Sequence, residues 1–262
     1  MDAYFERLDA HRFRSTDHVG GAWEPTEMHV APVFGLLAHL VEADRDARRG
    51  DGLAIGRLSY DILGTIPLGE VTTKVRILRP GRTVELVEAR LAHHGRDAIR
   101  LRAWLLASSD TAELAAPGMP PLPPPERVEP WRGVTQWPGG FIASLEVRRV
   151  LHEPGTASAW VRTPLPLLAD EPMSDLARFA GLMDVANGMT VRVDPRQVAF
   201  PNLDLTAHFF VQPRGEWLGL QTVVALGPDG AGLTRSILHD STGPVGALAQ
   251  LLTLRPTLSE PG

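Results

Sequence analysis

Four strand-like segments follow one another in RLSYDILGTIPLGEVTTKVRILRPGRTVELVEARLAHHGRDAIRLRAWLL, residues 57–106. Each segment is rich in β-branched and apolar residues that alternate with polar ones, which is typical of a half-buried strand. Turn-forming residues separate the later segments at hairpin lengths, with RPGR at 79–82 and HGRD at 94–97. The stretch therefore predicts an antiparallel sheet built from consecutive strands.

A second region of the chain repeats this layout. The turn sequences GPDG (227–230) and DSTG (240–243) lie between its strand-like segments. The segments are LDLTAHFF (203–210), WLGLQTVVAL (217–226), GLTRSILH (232–239) and VGALAQLLTL (245–254). Internal similarity of this kind predicts that one structural unit occurs twice.

An apolar stretch precedes each group of strands. PVFGLLAHLVEA (32–43) is apolar on almost every face, which predicts a buried helix. SDLARFAGLMDVANGM (174–189) is similar, with Ser174 as a plausible N-cap and Gly188 near the end. Each half thus combines one buried helix with an antiparallel sheet that wraps around it. We predict an α+β protein made of two tandem hotdog folds.

A proline-rich segment, PGMPPLPPPERVEP (117–130), divides the chain near its middle. Its composition disfavours helices and central strands and predicts an extended connector on the surface. We therefore expect an N-terminal hotdog at residues 1–116, a linker at 117–130 and a C-terminal hotdog at 131–262.

The bulk composition is that of an ordinary globular protein. The chain has 262 residues, 44% hydrophobic and 22% charged, and a net charge of -5 without long charge runs. No basic stripe indicates a nucleic-acid partner. No segment approaches the roughly 20 apolar residues of a membrane span, and the acidic N-terminus lacks the apolar core of a signal peptide. These features predict a cytoplasmic location.

Several kinds of chemistry lack their usual residues. The chain has no cysteine, which excludes disulfides, thiolate metal sites and a cysteine nucleophile. GxSxG, GxxxxGK[ST], GxGxxG and HExxH motifs do not occur. The nine histidines, among them His29 and His39, show no ligand spacing. We predict no metal and no cofactor.

Four short stretches resemble a known family. They are GGAW (20–23), LRPGR (78–82), NLDLT (202–206) and GPVGALAQ (243–250). Together with the duplicated layout they make the chain similar, from about residue 20 to 256, to the double-hotdog acyl-CoA thioesterases, the group that includes bacterial acyl-CoA thioesterase II. The resemblance implies hydrolysis of acyl-CoA thioesters to free fatty acid and CoA.

The resemblance also implies a set of catalytic residues. In this family a helix carboxylate, a hydroxyl or amide on the following strand and a glutamine on the last strand activate a water molecule. Asp184 and Gln250 fall at the first and last of these places. The middle place falls on Asn202, where the family pattern has a threonine, or on Thr206 after a shift in the alignment. Both residues remain candidates.

The residues themselves allow this chemistry and also allow simpler explanations. Apolar neighbours of Asp184 would desolvate its carboxylate and raise its pKa toward that of a useful base, while amides of Gln250 and Asn202 would hold the water. Alternatively, Asp184 is a solvent-facing helix carboxylate and Gln250 faces outward from an edge strand. Asn202 would then be turn chemistry after Pro201, and Thr206 an ordinary β-former.

The two halves differ in one respect. LLAHL (36–40), in the middle of the first-half helix, carries no acid, and only Glu42 and Asp44 follow it. We therefore expect the chemistry in the second half, with the first half shaping the pocket. Large aromatic residues are expected in the core or along an acyl channel; they are Trp23, Phe34, Tyr60 and Trp104.

The sequence thus predicts an acyl-CoA thioesterase of fatty acid metabolism. One alternative is a catalytically silent double-hotdog protein that binds acyl-CoA or lipid. A second, a hotdog enoyl-CoA hydratase or dehydratase, is disfavoured because no histidine follows Asp184 within its helix. The exposed edge strands of hotdog sheets are usually covered by pairing, and further assembly through sheet edges or faces is expected to give a homo-oligomer.

Overall fold

The fold is described from a computed structural model of residues 2–116 and 118–256. The helices are α1 (Val30–Arg48), α2 (Gly140–Ala143), α3 (Asp175–Ala180) and α4 (Ala186–Met189). The strands of the first half are β1 (Phe5–Arg7), β2 (Arg12–Ser15), β3 (Ala54–Ile62), β4 (Glu70–Arg79), β5 (Val84–His93) and β6 (Arg96–Leu106). Those of the second half are β7 (Pro130–Trp131), β8 (Glu146–Glu153), β9 (Thr156–Arg162), β10 (Val198–Ala199), β11 (Asp204–Phe209), β12 (Leu218–Leu226), β13 (Ala231–Asp240), β14 (Gly243–Thr253) and β15 (Arg255–Pro256).

Thirteen of the described strands form one antiparallel sheet. Its order is β1-β2-β4-β5-β6-β3-β11-β14-β13-β12-β9-β8-β7, and β10 pairs separately with β15. All eight strands predicted from the sequence are present, and each predicted hairpin connects the expected neighbours. The α+β class and the repeated antiparallel layout are therefore confirmed. Seven further strands were not predicted from the sequence: β1, β2, β7, β8, β9, β10 and β15.

The two halves meet at the pairing of β3 with β11. Ser59 lies opposite Thr206, and Leu58 lies opposite Ala207. Because β3 and β11 are the first strands of the large sheet after the helical segment of each half, their antiparallel contact makes the two sheets continuous. The backbone hydrogen bonds of both strands are satisfied at this junction, where each half alone would have an exposed edge.

Helix α1 is the buried helix of the first half. Its residues from Ala31 to Ala38 are all buried, as expected for a helix that is apolar on every face. The Phe34 ring stacks on Tyr60 of β3 with centroids 4.0 Å apart. The Tyr60 hydroxyl donates to the Phe34 carbonyl at 2.9 Å, which satisfies a buried polar group inside the core.

The second-half helix is shorter than predicted. Instead of one helix over 174–189, α3 ends at Ala180, a 3₁₀ turn covers Met183–Val185 and α4 follows. Gly181 lies in the interruption and is a poor helix former. Gly181 also packs closely against Gly35 of α1. A side chain at Gly35 would crowd Gly181, because its Cβ would lie only 3.0 Å from the Gly181 Cα. The helix therefore breaks at a close contact between the two halves, while Ser174 caps α3 as predicted.

The proline-rich segment lies against the second half. The indole Nε1 of Trp160 donates to the Pro123 carbonyl at 2.8 Å, and His239 Nε2 lies 2.9 Å from the Pro120 carbonyl oxygen. A single 3₁₀ turn spans Pro125–Arg127. The boundaries at 1–116, 117–130 and 131–262 stay a prediction. Within the described residues no helix is both long and apolar enough to cross a membrane.

Candidate active site

Asp184 lies in the 3₁₀ turn between α3 and α4, and its side chain is buried. Two amide groups donate to the same carboxylate oxygen, Oδ1. Asn202 Nδ2 lies 2.7 Å from it and Gln250 Nε2 lies 3.1 Å from it. Three of the four residues predicted from the sequence therefore come together, although 66 residues separate Asp184 from Gln250.

Both amide side chains are held by the sheet. Asn202 stands just before β11, pairs across the sheet with Leu252, and also donates to the Asp204 carbonyl at 3.1 Å. Gln250 lies within β14 and is 0% exposed. Successive residues of a strand face opposite sides, so Gln250 points to the buried side of the sheet while its exposed neighbour Ala249 points out. This buried side is the one that faces Asp184.

Burial changes the acidity of Asp184. Removal of the carboxylate from water raises its pKa to about 7, and the hydrogen bonds from Asn202 and Gln250 act in the opposite direction but more weakly. The pKa of a buried acid with neutral partners is thus close to neutrality. Such a carboxylate can both accept and return a proton near pH 7.

His29 is a neighbour of Asp184 that the sequence analysis treated as one of several scattered histidines. Its Nδ1 accepts a hydrogen bond from the Ala31 amide at 3.1 Å and caps α1. Burial lowers the pKa of His29 to about 3, so the ring is neutral near pH 7. Nδ1 lies 3.9 Å from Asp184 Oδ2 but carries no proton to donate to it. The only sequence signal was its place directly before an apolar helix.

A cavity of about 470 Å³ opens beside this cluster. Asp184, Asn202 and His29 line it, together with Val30 at the start of α1. Gln250 does not belong to the described lining and reaches the cavity only through Asp184. From the sequence, Gln250 and Asp184 were expected to hold the same water, whereas Gln250 lies behind the carboxylate in the structure.

Aromatic side chains form one wall of the cavity. The Trp23 ring meets Trp137 and Phe200 edge to face, with centroids 5.0 Å and 5.3 Å away. Trp137 Nε1 donates to the Gly188 carbonyl at 3.0 Å, which fixes this wall to the end of α4. Trp23 is 46% exposed and lies at the opening, whereas Trp137 and Phe200 are buried.

Other residues highlighted in the sequence lie elsewhere. Phe34 and Tyr60 belong to the core, and the Arg79 guanidinium lies over Trp104 on the other side of the sheet. Of the four aromatic residues considered as core or channel lining, the cavity includes Trp23. His39 lies 3.3 Å from Glu171, away from Asp184.

Thr206 does not join the cluster. It pairs with Ala249 of β14, so its side chain lies on the sheet face opposite to Gln250. Its hydroxyl is 2.9 Å from the Ser59 hydroxyl at the junction between the halves. Of the two candidates for the middle position, the structure brings Asn202, and not Thr206, to Asp184.

In the part of the chain that is described, no group of three or more histidine, aspartate or glutamate side chains is arranged to hold a metal ion. The site consists of one carboxylate, two carboxamides and a neutral imidazole beside an apolar cavity. These groups can bind a water molecule and accept a proton from it.

Comparison with family models accounts for most of the chain. Residues 20–106 match the model described as the acyl-CoA thioesterase N-terminal domain, and residues 113–254 match the acyl-CoA thioesterase C-terminal domain. No curated protein matches the chain.

Solved structures with a similar fold include two that cover nearly the whole chain. An acyl-CoA thioesterase II, TesB2, from Mycobacterium marinum is 19% identical, with a TM-score of 0.67 over 97% of this chain and 96% of that one. A conserved protein of unknown function with a hot dog fold, from Alicyclobacillus acidocaldarius, is 15% identical, with a TM-score of 0.76 over 98% of each chain. Together with the two matched domains, these likenesses confirm the prediction of tandem hotdog folds.

Proposed function

The chain belongs to the acyl-CoA thioesterase family, which hydrolyses acyl-CoA thioesters, and on that premise we propose that Asp184 is the base that activates water. Asn202 and Gln250 hold the Asp184 carboxylate in place. Asn202, which lines the cavity, also contacts the water, whereas Gln250 acts from behind.

The observation that carries this proposal is that the two carboxylate oxygens of Asp184 differ in their hydrogen bonding. Oδ1 accepts both amide hydrogen bonds. Within the described chain no donor bonds to Oδ2, because the nearby His29 Nδ1 already accepts from Ala31. The two hydrogen bonds to Oδ1 fix the position of the whole carboxylate, while Oδ2 is able to accept a proton. A general base needs both properties.

The reaction then has two steps. Asp184 takes a proton from water through Oδ2 while the water oxygen forms a bond to the thioester carbon. The tetrahedral intermediate collapses, the carbon–sulfur bond breaks, and protonated Asp184 returns the proton to the departing thiolate. A pKa of about 7 suits both directions, because it lies near the operating pH and below the roughly 8.5 of a free thiol.

The start of α1 supplies a group for the carbonyl oxygen. The N–H groups in the first turn of a helix have no partner within the helix, and the helix dipole makes this end partly positive. His29 satisfies the Ala31 N–H, and residue 32 is proline, so the Val30 N–H is the one left facing the cavity that Val30 lines. We assign it to stabilise the oxyanion.

The aromatic wall suits the acyl group. Trp137, Phe200 and Trp23 give an apolar surface next to Asp184, which both binds a hydrocarbon chain and keeps the carboxylate desolvated. The coenzyme then extends toward the opening at Trp23.

Assembly into a homo-oligomer and a cytoplasmic location stay predictions. Leu233 and Leu251 support the first, because these paired residues of β13 and β14 are both exposed on the outer side of the sheet. Light scattering on the purified protein measures the mass of the particle and tests the expected assembly directly.

The proposal is tested by thiol release from acyl-CoA substrates of several chain lengths. Asp184→Asn keeps the shape and the Oδ1 acceptor but removes the base, so we expect kcat to fall about 10²- to 10⁴-fold. In wild type, kcat must rise with pH through about 7, since only the deprotonated carboxylate is a base. Asp194→Asn, which changes a partly exposed carboxylate of the same half, serves as the control and should behave as wild type.

Two results would contradict the assignment. A folded Asp184→Asn variant with wild-type kcat would remove Asp184 from the mechanism. A wild-type protein that binds acyl-CoA without releasing thiol from any chain length would instead favour a binding protein.

A further inference from the structure

A threonine lies directly across the sheet from Gln250. Thr234 of β13 pairs with Gln250 of β14, and both side chains point to the buried face. Residues that face each other in this way have Cβ atoms about 5 Å apart. Both Thr234 and Gln250 are 0% exposed. Their polar ends are therefore neighbours inside the protein.

Both side chains also have an unsatisfied oxygen. Gln250 uses Nε2 to donate to Asp184, but its Oε1 has no partner among the described residues. The Thr234 hydroxyl is likewise buried without a partner in the described chain. Buried polar atoms are seldom left unpaired, because the loss of hydration is not compensated. A hydroxyl and an amide carbonyl are complementary, since one donates and the other accepts.

The first half provides an internal comparison. The last hairpin of each half, β5–β6 and β13–β14, has a register shift that can serve as a common reference point. The shift follows the pair Leu91 and Ile99 in the first half and the pair Leu238 and Gly246 in the second. Counting from those pairs, the partners Thr234 and Gln250 correspond to the partners Val87 and Ala103. Val87 has nearly the shape of threonine without the hydroxyl. The first half, which has no counterpart of Asp184, thus has an apolar pair at the position of Thr234 and Gln250.

We infer that Thr234 is a positioning residue whose hydroxyl is linked to Gln250 Oε1 through one buried water, and that it so holds the Gln250 amide with Nε2 toward Asp184. An amide has two ends, and a flip would place Oε1 against the carboxylate and repel it. The Thr234 hydroxyl favours the orientation that stabilises the ionised base. This role rests on the proposed function of Asp184.

Titratable groups other than Asp184 also surround the cavity. Besides Asp184, the cavity is lined by His29, Glu24, Glu27 and Arg255. The pKa of Asp184 is set by burial and by its two amide donors, and none of these other groups contributes to it. A change at Thr234 therefore reaches Asp184 through Gln250.

The test compares Thr234→Val with Thr234→Ser. Valine keeps the shape and copies Val87, but removes the donor, so the amide hydrogen bond to Asp184 weakens. We expect kcat at pH 7 to fall about 2- to 10-fold, the effect of one hydrogen bond, and the midpoint of the pH–kcat curve to rise. KM should not change, because neither Thr234 nor Gln250 lines the cavity. Serine, which restores the hydroxyl, should restore the wild-type curve.

Thr222→Val is the matched control. Thr222 is also buried, on the adjacent strand β12, and its hydroxyl lies 2.7 Å from that of Ser236. Its removal should lower the melting temperature without moving the pH–kcat curve. A shift of the curve as large as that of Thr234→Val would mean that any lost hydroxyl in this region has the same effect, and would overturn the positioning role.

A double-mutant cycle separates the contact from its function. Melting temperatures of Thr234→Val, Gln250→Ala and the double variant should be non-additive, because the two residues share one interaction. Additive values would refute the contact whether or not Asp184 is the base. Coupled stabilities with an unmoved pH curve would refute the positioning role alone. The proposed function fails separately, on an active Asp184→Asn variant.

Discussion

The two halves of the chain share a layout, but the residues at two equivalent positions differ in polarity. Asn202 lies opposite Leu252 at the entry to β11, and Ile55 lies opposite Leu105 at the equivalent place in β3. Gln250 corresponds in the same way to Ala103 of β6. Both Ile55 and Ala103 are completely buried. The first half thus carries apolar side chains where the second half carries amides.

The helices differ in a related way. Helix α1 runs unbroken for 19 residues, whereas the second-half helix is interrupted by the turn that contains Asp184. A carboxylate on a regular, fully buried helix would need partners for both oxygens. The interruption lets Asp184 turn toward two amides on the sheet and a cavity. The comparison shows how one repeat can serve as a rigid core while the other accommodates a buried charge.

The strongest way to erase the difference between the halves is to give the second half the residues of the first. The double variant Asn202→Ile, Gln250→Ala copies Ile55 and Ala103 and removes both donors to Asp184. The carboxylate should then stay protonated at pH 7, and kcat should fall on the order of 10²-fold or more, with partial recovery at pH 9. Steady-state kinetics at both pH values measures this.

A substitution in the first half is the control for that variant. Ile55→Val should lower stability by about 0.5–1.5 kcal/mol without changing kcat. A double variant as active as wild type at pH 7 would show that the two amides are dispensable for the base.

A smaller effect concerns stability. The pKa of Asp184 is raised to about 7 in the folded protein, against about 3.9 when unfolded. Below about pH 4 both states are protonated, and between pH 4 and 7 only the unfolded state ionises, so stability falls as pH rises across this window. Asp184→Asn should therefore be more stable than wild type by up to about 4 kcal/mol above pH 7. Urea unfolding at pH 5 and pH 8 checks this.

The control is Asp194→Asn. The Arg196 side chain and backbone lower the pKa of Asp194, which is the opposite direction, so its replacement should bring no gain at high pH. An Asp184→Asn protein whose stability follows that of wild type across this range would mean that the carboxylate is not held in a desolvated site.

The smallest effect is expected at the junction of the halves. Thr206→Val removes a half-buried hydroxyl that lies 2.9 Å from the Ser59 hydroxyl, which should lower stability by about 0.5–1.5 kcal/mol. Thr206→Ser should retain most of it, and kcat should be unchanged in both. Thermal unfolding and thiol release measure the two quantities, and a large loss of kcat would return Thr206 to the site.

Most of the fold could be predicted because local patterns of apolar and polar residues indicate its strands and its first helix. Alternation of apolar residues predicted the eight long strands, and the apolar stretch at 32–43 predicted α1, whose burial leaves little choice of partner. Two strands of ordinary length, β8 and β9, were missed, as were the short strands β1, β2, β7, β10 and β15. The break at Gly181 was missed as well, because it depends on the close approach of Gly35 from the other half.

For the candidate site, the sequence supplied Asp184, Asn202, Thr206 and Gln250 by resemblance and left the middle position open. That choice rests on which face of the sheet each side chain occupies, and therefore on the register of β11 against β14. His29 and Thr234 were not found, since a lone histidine and a strand threonine carry no distinguishing local signal.

The sequence by itself determined the duplicated α+β layout, the family and the asymmetry between a half with a mid-segment acid and a half without one. Periodicity and composition suffice for the layout and the asymmetry, because they reflect short-range geometry and burial, whereas the family was indicated by the resemblance of four short stretches. Only the tertiary structure decided that Asp184 meets Asn202 and Gln250, that no donor among the described residues bonds to Asp184 Oδ2, and that Gln250 lies behind the carboxylate. These contacts join residues far apart in the chain, and desolvation, which sets the pKa of Asp184 to about 7, arises only when the whole core has closed around it.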